Sequence, residues 1–149
     1  MSFACKIAVK LSAKAEYACL AMLELALQFT SGEPVRIRDI SERHEIPARF
    51  LVQILLQLKG AGLVVSTRGA AGGYQLQKPP AKIALGDVMS IMEGGAVKFN
   101  TARDATPVAR VLQKAWQAID DAQRKMVQSL SFAELADRVR GEAQGMYYI

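Results

Sequence analysis

One six-residue run, Arg68-Gly69-Ala70-Ala71-Gly72-Gly73, restricts the fold of this chain more than any other feature. It stands between Leu63-Val64-Val65-Ser66-Thr67, whose β-branched content suits a strand, and Tyr74-Gln75-Leu76-Gln77, which alternates like a returning one. Together they predict a β-hairpin with a basic, glycine-rich tip. Just upstream, Gly60-Ala61-Gly62 stops a helical segment from Ala48 to Lys59. There Phe50, Leu51, Ile54, Leu55 and Leu58 make one apolar face, and Arg49, Gln53 and Gln57 are left on the other. The expected fold class is mainly α with a small β-hairpin wing.

The segments before this helix complete a recognisable unit. Ser12 suits the N-cap of a first long helix from Ala13 to Phe29, which Thr30-Ser31-Gly32-Glu33-Pro34 ends. Val35 to His44 is short and polar, with Ile37 and Ile40 three apart, and Glu45-Ile46-Pro47 breaks it. Pro47 suits the first turn of the next helix. Two short helices joined by a tight turn, the second with a bulky inner face, form a helix-turn-helix, whose second helix can enter the DNA major groove. Arg49, Gln53 and Gln57 are then the groove-facing candidates, because arginine pairs bidentately with guanine and glutamine with adenine. Arg36, Arg38 and Lys59 would meet phosphates. At the hairpin, the glycines let backbone approach a sugar-phosphate chain, and Arg68 suits the narrow minor groove. A nucleotide-binding loop is the competing reading of those glycines, but no Gly-Lys-Ser/Thr follows and the run does not open a helix.

Charge placement points the same way. Residues 1–82 carry eleven Lys/Arg against six Asp/Glu, residues 83–149 eight of each, so the net charge of +5 lies wholly in the first part. Between Glu45 and Asp87 no acidic residue occurs, while Arg49, Lys59, Arg68, Lys78 and Lys82 fall there. Double-stranded DNA is the expected partner of such a segment, and a merely solvated basic face is the alternative.

Pro79-Pro80 separates the hairpin from a short helix at Leu85 to Met92, ended by Gly94-Gly95. From Pro107 onward, Val108, Leu112, Ala115, Ile119, Ala122 and Met126 recur at alternating spacings of four and three. That seam calls for another helix, most simply its copy in a homodimer, or else a core of its own chain. Ser131-Phe132-Ala133-Glu134 is a capping-box pattern for a last helix through Val139, after which Gly141 to Gly145 leads to Met146-Tyr147-Tyr148-Ile149. The organisation read from this is a winged helix-turn-helix over 1–82, then a linker helix, a long dimerisation helix and a tail over 83–149.

Other classes find little to work with. The apolar stretch Tyr17 to Leu27 is interrupted by Glu24 and too short for a bilayer, and the first residues lack a signal-peptide core, so a cytoplasmic protein is expected. The only histidine is His44, no His/Cys cluster has metal-ligand spacing, and Asp120-Asp121 lie on a charged helix face. No catalytic residue, metal or cofactor is therefore expected. Cys19, amid apolar neighbours, reads as packing and Cys5 as exposed, with a redox role for either as the alternative.

Lys10-Leu11-Ser12, Glu16-Tyr17-Ala18, Ile46 through Leu63, Arg68-Gly69-Ala70-Ala71-Gly72-Gly73-Tyr74 and Leu85-Gly86-Asp87-Val88 together resemble the Rrf2 family of bacterial regulators, over nearly the whole chain. The most specific part is Arg-Gly-x-x-Gly-Gly-Tyr just after the Leu-x-x-x-Gly-Leu end of the recognition helix. The resemblance implies a dimeric winged-helix DNA binder whose long penultimate helix forms the dimer interface, and it brings Gly69, Gly72, Gly73 and Tyr74 into the DNA-contacting set with Arg68. Three departures stand out. Cluster-bearing members place three cysteines between the Gly-Gly turn and the long helix, whereas residues 94–115 contain none, which speaks against a [2Fe–2S] cluster. Val52 stands where several relatives have Glu, and Glu45 where the turn usually has Gly. The cluster-free branch that controls cysteine and sulfur metabolism looks closest, since it shares an ending of aromatic, Tyr and Ile; a relative in the family also uses cysteine oxidation to change DNA affinity. The resemblance to that branch implies a repressor of sulfur, cysteine or redox genes. It also implies a second reading, an interaction module in which Tyr148 and Ile149 dock into cysteine synthase by imitating the C-terminal isoleucine of serine acetyltransferase. A tail that packs on its own domain is the plainer alternative.

Overall fold

The structure, a computed structural model, describes residues 11–94 and 106–146. Its elements in chain order are α1 (Ala13–Leu27), α2 (Ile37–His44), α3 (Ala48–Gly60), β1 (Val64–Thr67), β2 (Gly73–Leu76), a 3-10 turn (Pro80–Lys82), α4 (Leu85–Glu93), α5 (Pro107–Ser129) and α6 (Phe132–Met146). It is mainly helical, with one antiparallel hairpin in the register Val64↔Leu76 to Thr67↔Gly73.

Ser12 caps α1 as its sequence position predicts. Its Oγ accepts the Ala15 N–H at 3.1 Å and donates to Glu93 Oε1 at 2.7 Å, which ties the start of α1 to the end of α4. The buried face of α1, Ala15, Ala18, Met22 and Leu25, is the floor on which the other elements pack. Small residues at 15, 18 and 21 let α4 and α6 come close to it.

The second helix begins later than its pattern predicts. Val35 is drawn out of it to pair with Tyr74: the Val35 N–H donates to the Tyr74 carbonyl at 2.9 Å and the Tyr74 N–H to the Val35 carbonyl at 2.8 Å. The hairpin thus gains a short third edge from the residues leading into α2. The turn into α3 is made by Glu45 in the left-handed region, φ 54°, ψ 39°, the only positive-φ residue other than glycine among the described residues. A side chain there costs about 1–2 kcal/mol. The turn holds because the Ser41 hydroxyl donates to the Ile46 carbonyl at 2.6 Å, the Ile46 N–H donates to the Ser41 carbonyl, and Ile46 itself is buried. Pro47 serves as the N-cap of α3 and not as its first residue.

The start of α4 is where the long helix attaches. Asp87 accepts the Ala84 N–H at 2.9 Å and, with its other oxygen, the Gln128 side-chain amide at 3.3 Å. A Cβ on Gly86 would come within 2.7 Å of Gln128, so glycine is what permits α5 to lie against α4 here. Beyond α5, the Phe132 N–H donates to the Ile83 carbonyl at 3.0 Å, and α6 turns back onto α1, placing Phe132 and Ala136 in the same core as Ala15 and Met22. Ser131 Oγ accepts the Glu134 N–H as the capping pattern predicts. The helix itself corrects the sequence reading, since it continues past Val139 through Gly141 and Gly145 to Met146. Two glycines cost about 1 kcal/mol each in a helix, and good helix formers lie around them at Glu142, Ala143 and Gln144.

Candidate nucleic-acid interface

α3 carries two stripes with the same helical spacing. Leu51, Ile54, Leu55 and Leu58, at i, i+3, i+4 and i+7, are buried. Arg49, Val52, Gln53 and Leu56 repeat that spacing on the opposite side, and all four are exposed. The outward stripe differs from the one read in sequence. Gln57 falls on the flank, where its amide donates to the Ile91 carbonyl of α4 at 3.0 Å, whereas Val52 and Leu56 take places in the centre. Phe50 also departs from its expected place in the apolar inner face. It is half-exposed and lines a cleft of about 400 Å³ with Ala13, Lys14, Tyr17, Gln53 and Ile54. The Arg49 guanidinium lies 5.0 Å from the Phe50 ring centroid, a contact that pre-sets its direction.

The hairpin is bolted to this unit at its root. Val64 and Leu76 are buried, and Lys59 at the end of α3 donates to Ser66 Oγ at 2.7 Å. At the far end, the Arg36 guanidinium donates to the Ala70 carbonyl, so a residue read as a phosphate contact also holds the tip. The glycines have internal reasons as well. A Cβ on Gly73 would stand 2.4 Å from the Val35 carbonyl oxygen, and one on Gly72 2.2 Å from that of Thr67; Gly69 turns the chain with φ 109°. Tyr74 is half-buried against the core. Arg68, at the start of this tip, is exposed and has no ion pair or hydrogen bond among the described residues. Arg38 pairs with Glu42 at 3.1 Å on an open surface, a contact worth at most about 1 kcal/mol and readily exchanged for a phosphate.

None of the α5 residues is buried. Val108 is 80% exposed, Leu112 52%, Ile119 50% and Met126 64%, with Ala115 and Ala122 exposed between them. Val111 and Trp116 extend the same apolar side. A strict four-three seam passes them by, because it takes one residue per turn. Cys19 is half-buried, and burial pushes its thiol up to about 11, which keeps it protonated and a poor nucleophile at neutral pH. His44 Nε2 and the Arg43 guanidinium both meet the Glu24 carboxylate at 2.9 Å, a structural link between α1 and α2. Among the described residues no group of three His, Cys, Asp or Glu stands together as a metal site, and no helix is long and apolar enough to cross a membrane. Cys5, Tyr148 and Ile149 lie outside the described residues.

Residues 11–138 match the Rrf2 family, described as iron-dependent transcriptional regulators. The chain is 34% identical over 142 residues to the HTH-type transcriptional regulator CymR of Bacillus subtilis (strain 168), spanning 95% of this chain and 100% of CymR. Over 85 residues it is 46% identical to the HTH-type transcriptional regulator IscR of Aliivibrio salmonicida (strain LFI1238), 57% of this chain and 50% of that protein. Its fold superposes on the solved structure of CymR, the global cysteine regulator of B. subtilis, with a TM-score of 0.77 at 32% identity, covering 88% of this chain and 98% of that one. These relatives are regulators and not enzymes. The chain belongs to the Rrf2 family of winged helix-turn-helix transcriptional regulators.

Proposed function

We propose that this regulator binds a palindromic operator as a homodimer and represses sulfur, cysteine or redox genes, with α3 in the major groove and the hairpin in the adjacent minor groove. The observation that carries the reading is Arg68. Arg36, Arg38, Arg49 and Lys59 each have an intramolecular contact, whereas Arg68 has none among the described residues and stands on a hairpin fixed at both ends. A cation held out on a rigid mount suits insertion into a narrow groove of strong negative potential. Arg49 and Gln53 supply base contacts, Arg38 and Lys59 reach phosphates, and the tip around Gly69 follows the sugar-phosphate chain. The exposed apolar side of α5 supports pairing with its copy, which sets the two reading heads one helical turn, or a multiple of it, apart.

The iron in the family description finds no matching donors here. The chain has two cysteines and one histidine, and residues 94–115 contain neither. These residues do not fit a cysteine-held iron–sulfur cluster, so the proposed regulator works without one. The sulfur assignment draws on the likeness to CymR along the whole chain. Docking of Tyr148 and Ile149 into cysteine synthase, the second reading, has no described residue in its favour.

The test is to incubate the purified protein with sheared DNA of its own genome near physiological salt, then recover and sequence what it retains. The expected result is enrichment of one or a few palindromic sites beside genes of sulfur metabolism. Retention without sequence preference would remove the operator-binding reading, and specific sites beside unrelated genes would remove the pathway.

A further inference from the structure

The outward stripe of α3 contains two side chains for which a surface facing a polyanion has no electrostatic use. Val52 is 38% and Leu56 54% exposed, four residues apart, with Gln53 between them in sequence and Arg49 one turn before. Leaving a valine and a leucine in water is unfavourable, so they call for an apolar partner.

The surroundings decide which partner. A protein surface is met by charges of both signs, but the segment from Ile46 to Gly86 has no carboxylate at all, and Arg49 and Lys59 bracket the patch. That rim matches a polyanion. In the major groove the only apolar group on a base edge is the C5-methyl of thymine. Gln53 points to the same base pair from the other strand, because glutamine reads the N6 and N7 of adenine, whose partner is thymine. One A·T pair therefore satisfies the amide and its apolar neighbours together.

We propose that Val52 and Leu56 read thymine methyl groups, so that each half-site carries A·T pairs beneath the middle of α3. This rests on the assignment of α3 to the major groove made above.

Replacing each operator thymine in turn by 2′-deoxyuridine removes the C5-methyl and nothing else. Dissociation constants measured by fluorescence anisotropy are expected to rise about fourfold at one or two positions per half-site, the cost of one unburied methyl. At those positions the thymine–uracil difference is expected to vanish in Leu56→Ser or in Val52→Ser, each of which leaves no methyl to meet the base. Both residues are exposed, and circular dichroism checks that the variants fold. Equal affinity for every uracil-substituted operator would overturn the proposal. So would a thymine–uracil difference that persists in both variants, since another residue would then hold the methyl. A protein that retains no operator fails earlier, at the DNA-binding reading itself, and takes this inference with it.

Discussion

Two helices of this regulator leave apolar side chains in water, and they do so in opposite settings. On α3, Val52 and Leu56 sit among Arg49, Gln53 and Lys59 with no acid nearby in sequence. On α5, Val108, Val111, Leu112, Ile119 and Met126 form a longer strip bordered by Arg110, Lys114, Asp120, Asp121, Arg124 and Lys125, charges of both signs. The strip on α5 runs along nearly the whole helix, whereas the pair on α3 is small and embedded in cations. An exposed hydrophobe thus takes its meaning from its rim: mixed charge suits a second copy of the chain, and unbroken positive charge suits nucleic acid.

The comparison breaks most sharply at α5. Leu112→Glu combined with Ile119→Glu should yield a folded monomer by sedimentation and weaken operator binding by about 10²-fold or more, because the second reading head no longer benefits from the first. A dimer that survives both charges would remove the contrast. On the other surface, Arg68→Ala should cost about 1–3 kcal/mol of operator binding with no change in oligomeric state or far-UV circular dichroism. Normal binding by that folded variant would show the hairpin to be no part of the interface.

Smaller effects concern what positions the proposed DNA face. Gly73→Ala forces a Cβ against the Val35 carbonyl, so thermal unfolding should report a loss of about 1–3 kcal/mol, together with weakened operator binding as the hairpin shifts. Glu45→Gly should act in the opposite direction. It relieves a left-handed side chain costing about 1–2 kcal/mol and adds chain entropy of roughly 0.5–1 kcal/mol, so a gain of up to about 1.5 kcal/mol in denaturant unfolding is expected, with operator specificity unchanged. Cys19 belongs to neither surface. Its thiol ionises near 11 in the fold and near 9.0 in the open chain, so the neutral form favours folding. That contribution is complete below pH 9 and is lost as pH rises toward 11. Iodoacetamide should label folded Cys19 slowly at pH 8 and rapidly after denaturation.

Much of this fold was legible because its signals are local. Ser12, the breaks at Gly32 and Gly60, and the β-branched run before Arg68 each act within a few residues of themselves. Long-range pairing was not legible. Val35 has an ordinary pattern for the start of α2, and only the approach of Tyr74 pulls it out. The outward stripe of α3 was legible in part for a related reason. Arg49 and Gln53 stood out as polar residues on an otherwise apolar helix, but counting polar residues along one line ran on to Gln57, which the carbonyl of Ile91 claims. The other members of that outward stripe, Val52 and Leu56, look like core residues by type. The signal that finds them is the spacing of the buried stripe itself, whose complement at i, i+3, i+4 and i+7 starts at Arg49.

In the proposed complex, two copies present α3 and the hairpin to successive grooves of one operator. Hydroxyl-radical footprinting of the recovered site tests it most directly. The account predicts two equivalent protected tracts related by a dyad, about one helical turn or a multiple apart, with the minor-groove protection nearest each hairpin lost in Arg68→Ala. A single unrepeated tract, or a pattern unchanged by that substitution, would contradict it.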